Sequence, residues 1–79
     1  MPQFYFHLYN DMNVADHEGE NLPDLAAAKA YAIVQARALA GATVKEEGRI
    51  ALNHRIDIED ERQAVLATVS FRDVIAVED

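Results

Sequence analysis

The 79-residue sequence contains no cysteine. Disulfides, thiolate metal sites and a cysteine nucleophile are excluded together. It also has no tryptophan, only three phenylalanines and three tyrosines, and much of its 51% hydrophobic fraction is alanine. A core made from such residues is small, and a domain of this length buries only about 60–65% of the surface its unfolded chain exposes. Stability is therefore expected to draw on self-association or on a partner. Positive charge is scarce too. Seven bases face 14 acids, for a net charge of -7. Lys29, Arg37, Lys45, Arg49, Arg55, Arg62 and Arg72 are scattered, with no two adjacent. Neutralising phosphates takes clustered Lys and Arg, so neither nucleic acid nor an anionic membrane is an expected partner.

Long apolar runs are missing as well. The richest stretch, Leu25 to Ala42, is interrupted by Lys29, Gln35 and Arg37, and is not a membrane span. The opening Met-Pro-Gln-Phe-Tyr-Phe-His lacks the basic region and apolar run of a signal peptide. A cytoplasmic location is the expectation. The length allows one domain, residues 1–79.

What is present reads as an α+β domain. Residues 3–9 alternate, with Phe4, Phe6 and Leu8 on one side and Tyr5, His7 and Tyr9 on the other, which predicts a strand. Asn10-Asp11 is a turn signal, and Met12 to Ala15 reads as a short return strand, making residues 3–16 a hairpin. The polar Asp16 to Asn21 reads as a loop. Asp24 is a good N-cap, and its charge suits the positive end of a helix. Leu25, Ala28, Ala32, Ala36 and Leu39, with Ile33 and Ala40 beside them, line one helical face. The helix is expected to run to about Glu47 and to end at Gly48.

A second hairpin follows. Ile56 and Ile58 point inward along Arg55 to Glu59, and Asp60 to Gln63 is a polar turn. Ala64 to Phe71 is a strand with Val65, Ala67, Val69 and Phe71 inward and Leu66, Thr68 and Ser70 outward. The order β-β-α-β-β predicts a single antiparallel sheet with one long helix packed on one face.

Three segments carry a resemblance. These are Met1-Pro2-x-Phe4-Tyr5-Phe6-His7-Leu8, the helix opening Leu22-Pro23-Asp24-Leu25-Ala26-Ala27-Ala28, and Val65-Leu66-Ala67-Thr68-Val69-x-Phe71-Arg72-Asp73. In order and spacing they resemble a short bacterial family, mostly alphaproteobacterial, catalogued only as a domain of unknown function. The resemblance implies a free-standing cytoplasmic domain and implies no activity. The hairpin, the Leu-Pro-Asp opening and the alanine-rich helix also look like the antitoxin subunit of HicAB toxin–antitoxin pairs. The glycine-rich, tyrosine-valine second strand of those antitoxins is missing here, as is an appended DNA-binding tail.

Reactive groups are few. His17 among Asp16, Glu18 and Glu20 is a metal-ligand chemistry without a metal-ligand spacing, and a solvated acidic loop explains it. His7 between Tyr5 and Tyr9 could serve acid–base work or a pH response, or belong to a partly exposed aromatic stripe. His54 has no partner in sequence, and Ser70 lacks the strand–turn–helix setting of a serine nucleophile. The acidic run Asp57, Glu59, Asp60 and Glu61 lacks the spacing of a calcium loop.

No motif asks for a cofactor or a metal, and the chain is expected not to be an enzyme. One helix covers one sheet face, so Tyr5, His7 and Tyr9, joined by Leu66 and Thr68, are expected to form an interface on the other. The expected occupant is a second copy in a homodimer or an unidentified protein partner. A fold-back of Val74 to Val77 over the strip, a small-ligand or metal site, and an antitoxin-like regulator are the alternatives.

Overall fold

Asp24 starts the long helix as its chemistry demands. In the computed structural model, which describes residues 2–79, its Oδ1 accepts the Ala27 N–H at 2.8 Å. The helix α1 spans Leu25–Glu47 and closes at Gly48. Gly48 adopts the left-handed conformation, φ 69°, and its N–H bonds the Val44 carbonyl at 2.9 Å. That positive φ is the reason for glycine there. The interior Gly41 does not interrupt the helix.

Ala28, Ala32 and Ala36 are completely buried, and Ala40 nearly so. Four alanines at a spacing of four residues form a stripe without bulk, so the helix backbone lies close to the sheet. Phe4, Ile56, Ile58, Val69 and Phe71 meet this stripe from below. Leu25, Ile33 and Leu39 flank it, half-buried.

The sheet comprises β1 (Gln3–Tyr9), β2 (Glu20–Asn21), β3 (Arg55–Glu59) and β4 (Val65–Ser70), followed by a one-turn helix α2 (Phe71–Val74). It is antiparallel throughout, in the order β2-β1-β3-β4. Strands β1 and β3 pair from Tyr5 opposite Glu59 to Tyr9 opposite Arg55. The expected α+β architecture is therefore the observed one.

Four local expectations are corrected. Met12–Ala15 is not a strand, since only Val14 bridges β1, opposite Leu8. The Asn10 side chain accepts the Met12 and Asn13 N–H groups, and Asn13 takes a left-handed φ of 52°. This side-chain-closed turn bends the chain before a ladder can form. The second strand lies instead at Glu20–Asn21, inside the predicted loop. Next, Val65 does not face the core. An irregularity beside Ile58 and Glu59 sets Ala67 opposite Ile58 but Val65 opposite Glu59. The extra residue Leu66 shifts the alternation, and Val65 is 55% exposed.

Phe71, expected at the end of the last strand, begins α2 and donates its N–H to the His54 carbonyl. Finally, Val74 and Ile75 pack against the core on the helix side, where Arg37 Nε donates to the Val74 carbonyl at 3.0 Å. They do not cover the Tyr5–Tyr9 strip.

Two substitutions test this packing. Asp24→Ala is expected to cost about 0.5–2 kcal/mol, as N-cap loss does, read as a lower urea midpoint at unchanged slope. Ala32→Leu is expected to cost about 1–3 kcal/mol or more by overpacking a site with no space. A tolerated leucine at residue 32 would show that the helix does not lie close to the sheet.

Candidate functional site

Alternation along β1 carries Tyr5, His7 and Tyr9 to the face away from α1. Their cross-strand partners are Glu59, Asp57 and Arg55, and beyond these on β4 stand Val65, Thr68 and Ser70. Among the described residues, no helix covers this side. Ala15, Asp16 and His17 of the loop after β1 and Asp60, Glu61 and Gln63 of the β3–β4 turn border it, so the face is dished. The concavity encloses about 510 Å³ and is lined by Tyr5, His7, Tyr9, Asp16, Glu59 and Glu61 among others.

His7 is held at both ring nitrogens. Its Nδ1 accepts the Asp16 N–H at 3.0 Å, and its Nε2 lies 3.3 Å from Glu59 Oε1. The network assigns the proton to Nε2, with the Glu59 carboxylate as its acceptor. A ring so engaged has no lone pair free for a substrate.

Tyr9 lies beneath the Arg55 guanidinium, whose carbon is 4.2 Å from the ring centroid, a cation–π contact. Arg55 Nε lies 3.4 Å from Asp57 Oδ1, and the Thr68 hydroxyl donates to the same oxygen at 2.9 Å. Asp57 is buried, and these two partners compensate its charge.

Asp16 organises the flanking loop. Its Oδ1 accepts the Glu18 and Gly19 N–H groups and its Oδ2 the Phe6 N–H, at 3.0–3.1 Å. Partial burial acts to raise its carboxyl. The Gly19, Phe6 and Glu18 amides and the nearby His7 ring outweigh burial and hold it below the ordinary value of 3.8. Gly19 is required by this arrangement. Its φ is 73°, and a Cβ there would stand 2.8 Å from the Phe4 carbonyl oxygen.

Of the five residues expected at an interface, Tyr5, His7 and Tyr9 come together in the concavity, half-buried between its flanks. Thr68 stands on the same face one strand further out, bonded to Asp57. Leu66 sits at the β-bulge, 40% exposed and outside the lining of the concavity.

The other histidines fall elsewhere. His17 is exposed at the rim. Among the described residues, no three His, Asp or Glu side chains converge to hold a metal ion. His54 is buried with its ring edge-on to Phe71 at 5.5 Å. Its Nε2 has no hydrogen-bond partner and lies 3.9 Å from Asp11 Oδ1.

Sequence reasoning found the aromatic strip and the outward alternation of Arg55, Asp57 and Glu59, but missed Asp16 and Val65 as parts of this face and the contact of Arg55 with Tyr9. Asp16 was legible in principle, because Asp followed three residues later by Gly is a side-chain-closed loop pattern. The Arg55–Tyr9 contact depends on strand register, which no local pattern carries.

Compared with known proteins, residues 3–72 match the family model described as a domain of unknown function, DUF6894. No curated protein and no solved structure matches the chain.

The lowered Asp16 carboxyl makes a pH prediction. A carboxyl more acidic in the fold than in the unfolded chain adds stability above its unfolded value, and that stability is lost as pH falls through the folded value. The wild type should therefore lose stability on acidification below about pH 4, near the ordinary carboxyl value, with Asp16→Ala reducing that slope. At neutral pH, Asp16→Ala is expected to cost about 1–3 kcal/mol, as loss of hydrogen bonds to a charged group does. Urea titrations of both proteins at neutral and acidic pH would measure this, and parallel pH profiles would contradict it.

Proposed function

The chain belongs to the DUF6894 family, a domain of unknown function, and we propose that it is a non-enzymatic protein-interaction module whose working surface is the dished outer face of the sheet. One observation carries the reading. The long helix α1 packs on the inner face, and the outer face holds Tyr5, His7 and Tyr9 with no second layer above them among the described residues. Tyrosines in such a patch combine a large apolar body with a polar tip, as interface residues do. The polar groups there serve each other: His7 binds Asp16 and Glu59, and Asp57 binds Arg55 and Thr68. This supports a binding surface over a reactive centre.

Charge supports a class of partner. Asp16, Glu59, Asp60 and Glu61 line the concavity with no lysine or arginine among the lining residues. A second copy placed there would set these carboxylates face to face, in a chain already at net charge -7. The reading therefore assigns this face to a different protein that presents basic residues, with binding weakened by salt. A cytoplasmic location accords with it. Among the described residues, no helix is long and apolar enough to cross a membrane.

A pull-down from host lysate with the wild type, repeated with Tyr5→Ser, Tyr9→Ser, tests the proposal. The expected result is a partner retained by wild type, released by raised salt and lost by the double variant, with both proteins equally folded by circular dichroism. A partner retained equally by both would place the working surface elsewhere.

A further inference from the structure

The two edges of the sheet are finished differently. Along β1 the outward side is closed at every step. Leu8 and Val14 exchange two backbone bonds at 2.8–2.9 Å, the Asp16 carboxylate takes the Phe6 N–H, and β2 pairs with Gln3 and Phe4. The outermost strand on that side, β2, is only two residues long and includes the charged Glu20. A short, charged edge resists further pairing.

Strand β4 has none of these protections. Val65 to Ser70 reads Val-Leu-Ala-Thr-Val-Ser, without charge, proline or glycine, in a chain where 27% of residues are charged. The bond from the Phe71 N–H to the His54 carbonyl sets the alternation of the ladder. With that phase, Ile56 exchanges bonds with Val69 and Ile58 with Ala67. The main-chain groups of Thr68 and Ser70 therefore point away from β3, toward the open edge. The bulge lies at Leu66, and Ala67–Ser70 continue regularly.

From this we infer that β4 pairs with β4 of a second copy, antiparallel about a two-fold axis at Thr68, to form one eight-stranded sheet. Symmetry and bonding narrow the register, and the length of the regular run selects it. Outward-pointing groups must meet each other, so the axis passes through a residue. An axis at Val69 would pair only residues 68–70, and one at Ala67 would draw Val65, beyond the bulge, into the seam. The axis at Thr68 sets Thr68 opposite its own copy and Ala67 opposite Val69 of that copy. Residues opposite one another share a face, so the two dished faces become one continuous surface with both α1 helices behind it.

Charge selects the occupant. The edge residues bring no carboxylate to the seam, unlike the concavity, so two copies of this acidic chain can approach there. Closure selects the stoichiometry. The contact is isologous, and the protected β2 edges stop growth at two chains. This inference is independent of the partner proposed for the open face.

The test uses the full chain by light scattering and oxidative cross-linking. Wild type is expected at twice the 8.8 kDa chain mass at high concentration. Thr68→Pro removes an outward N–H together with the hydroxyl bond to Asp57, and should halve that mass. Thr68→Val, which loses only the hydroxyl, should leave the mass at twice the chain. The chain has no cysteine, so single introduced thiols report proximity. Paired Thr68 positions would stand about 5.5 Å apart at Cα, within disulfide reach. Thr68→Cys should cross-link under mild oxidation, and Ala30→Cys on the exposed side of α1 should not. Tyr5→Ser, Tyr9→Ser should leave the mass at twice the chain. A wild type that remains at single-chain mass would overturn the inference. So would a dimer in which Thr68→Cys fails to cross-link, or one abolished by the tyrosine changes.

Discussion

A single helix can shield only one face of a sheet, and here the helix is shaped to do that and nothing more. Ala28, Ala32, Ala36 and Ala40 present a flat, narrow stripe. The stripe brings the α1 backbone down onto β3 and β4 and leaves room beneath it for Phe4, Ile56, Ile58 and Phe71 as the bulky buried side chains. Every other property of the domain follows from this asymmetric layering. The core is thin, the outer face must find its own polar and aromatic order, and one strand edge is left unpaired.

That outer face is ordered by hydrogen bonds and stacking in place of a second apolar layer. His7 is clamped between the Asp16 amide and Glu59, and Tyr9 is capped by Arg55, which also neutralises Asp57. Such a network holds His7 and Tyr9 in fixed positions before any partner arrives, and preorganisation of this kind lowers the entropy lost on binding. The same Asp16 that positions His7 also caps the edge of β1 by taking the Phe6 N–H. One residue thus links the binding face, through its backbone N–H, to the finishing of the sheet edge, through its carboxylate.

Much of this was readable from residues alone. The alternation of Phe4, Phe6 and Leu8 against Tyr5, His7 and Tyr9 separated the two faces of β1 correctly. The Asp24 cap and Gly48 stop bounded the helix, because both act through bonds within one turn of their own position. Where distant residues compete, local patterns misled. Met12 to Ala15 has the look of a strand, yet the Asn10 side chain and the left-handed Asn13 make a turn there, and Val14 keeps a single bridge. Val65 fits the inward alternation of Ala67 and Val69 until the bulge at Leu66 reverses it.

The sequence by itself determined the order of elements, the helix ends, the acidic charge and the aromatic outer strip, since each depends on short-range spacing, backbone preference or composition. Tertiary structure alone decided which carboxylate meets which base, that Asp16 closes the β1 edge, and that β4 is the open one. Those outcomes depend on strand order and register. They are set by how the whole inner face packs beneath α1, and no single segment contains that information.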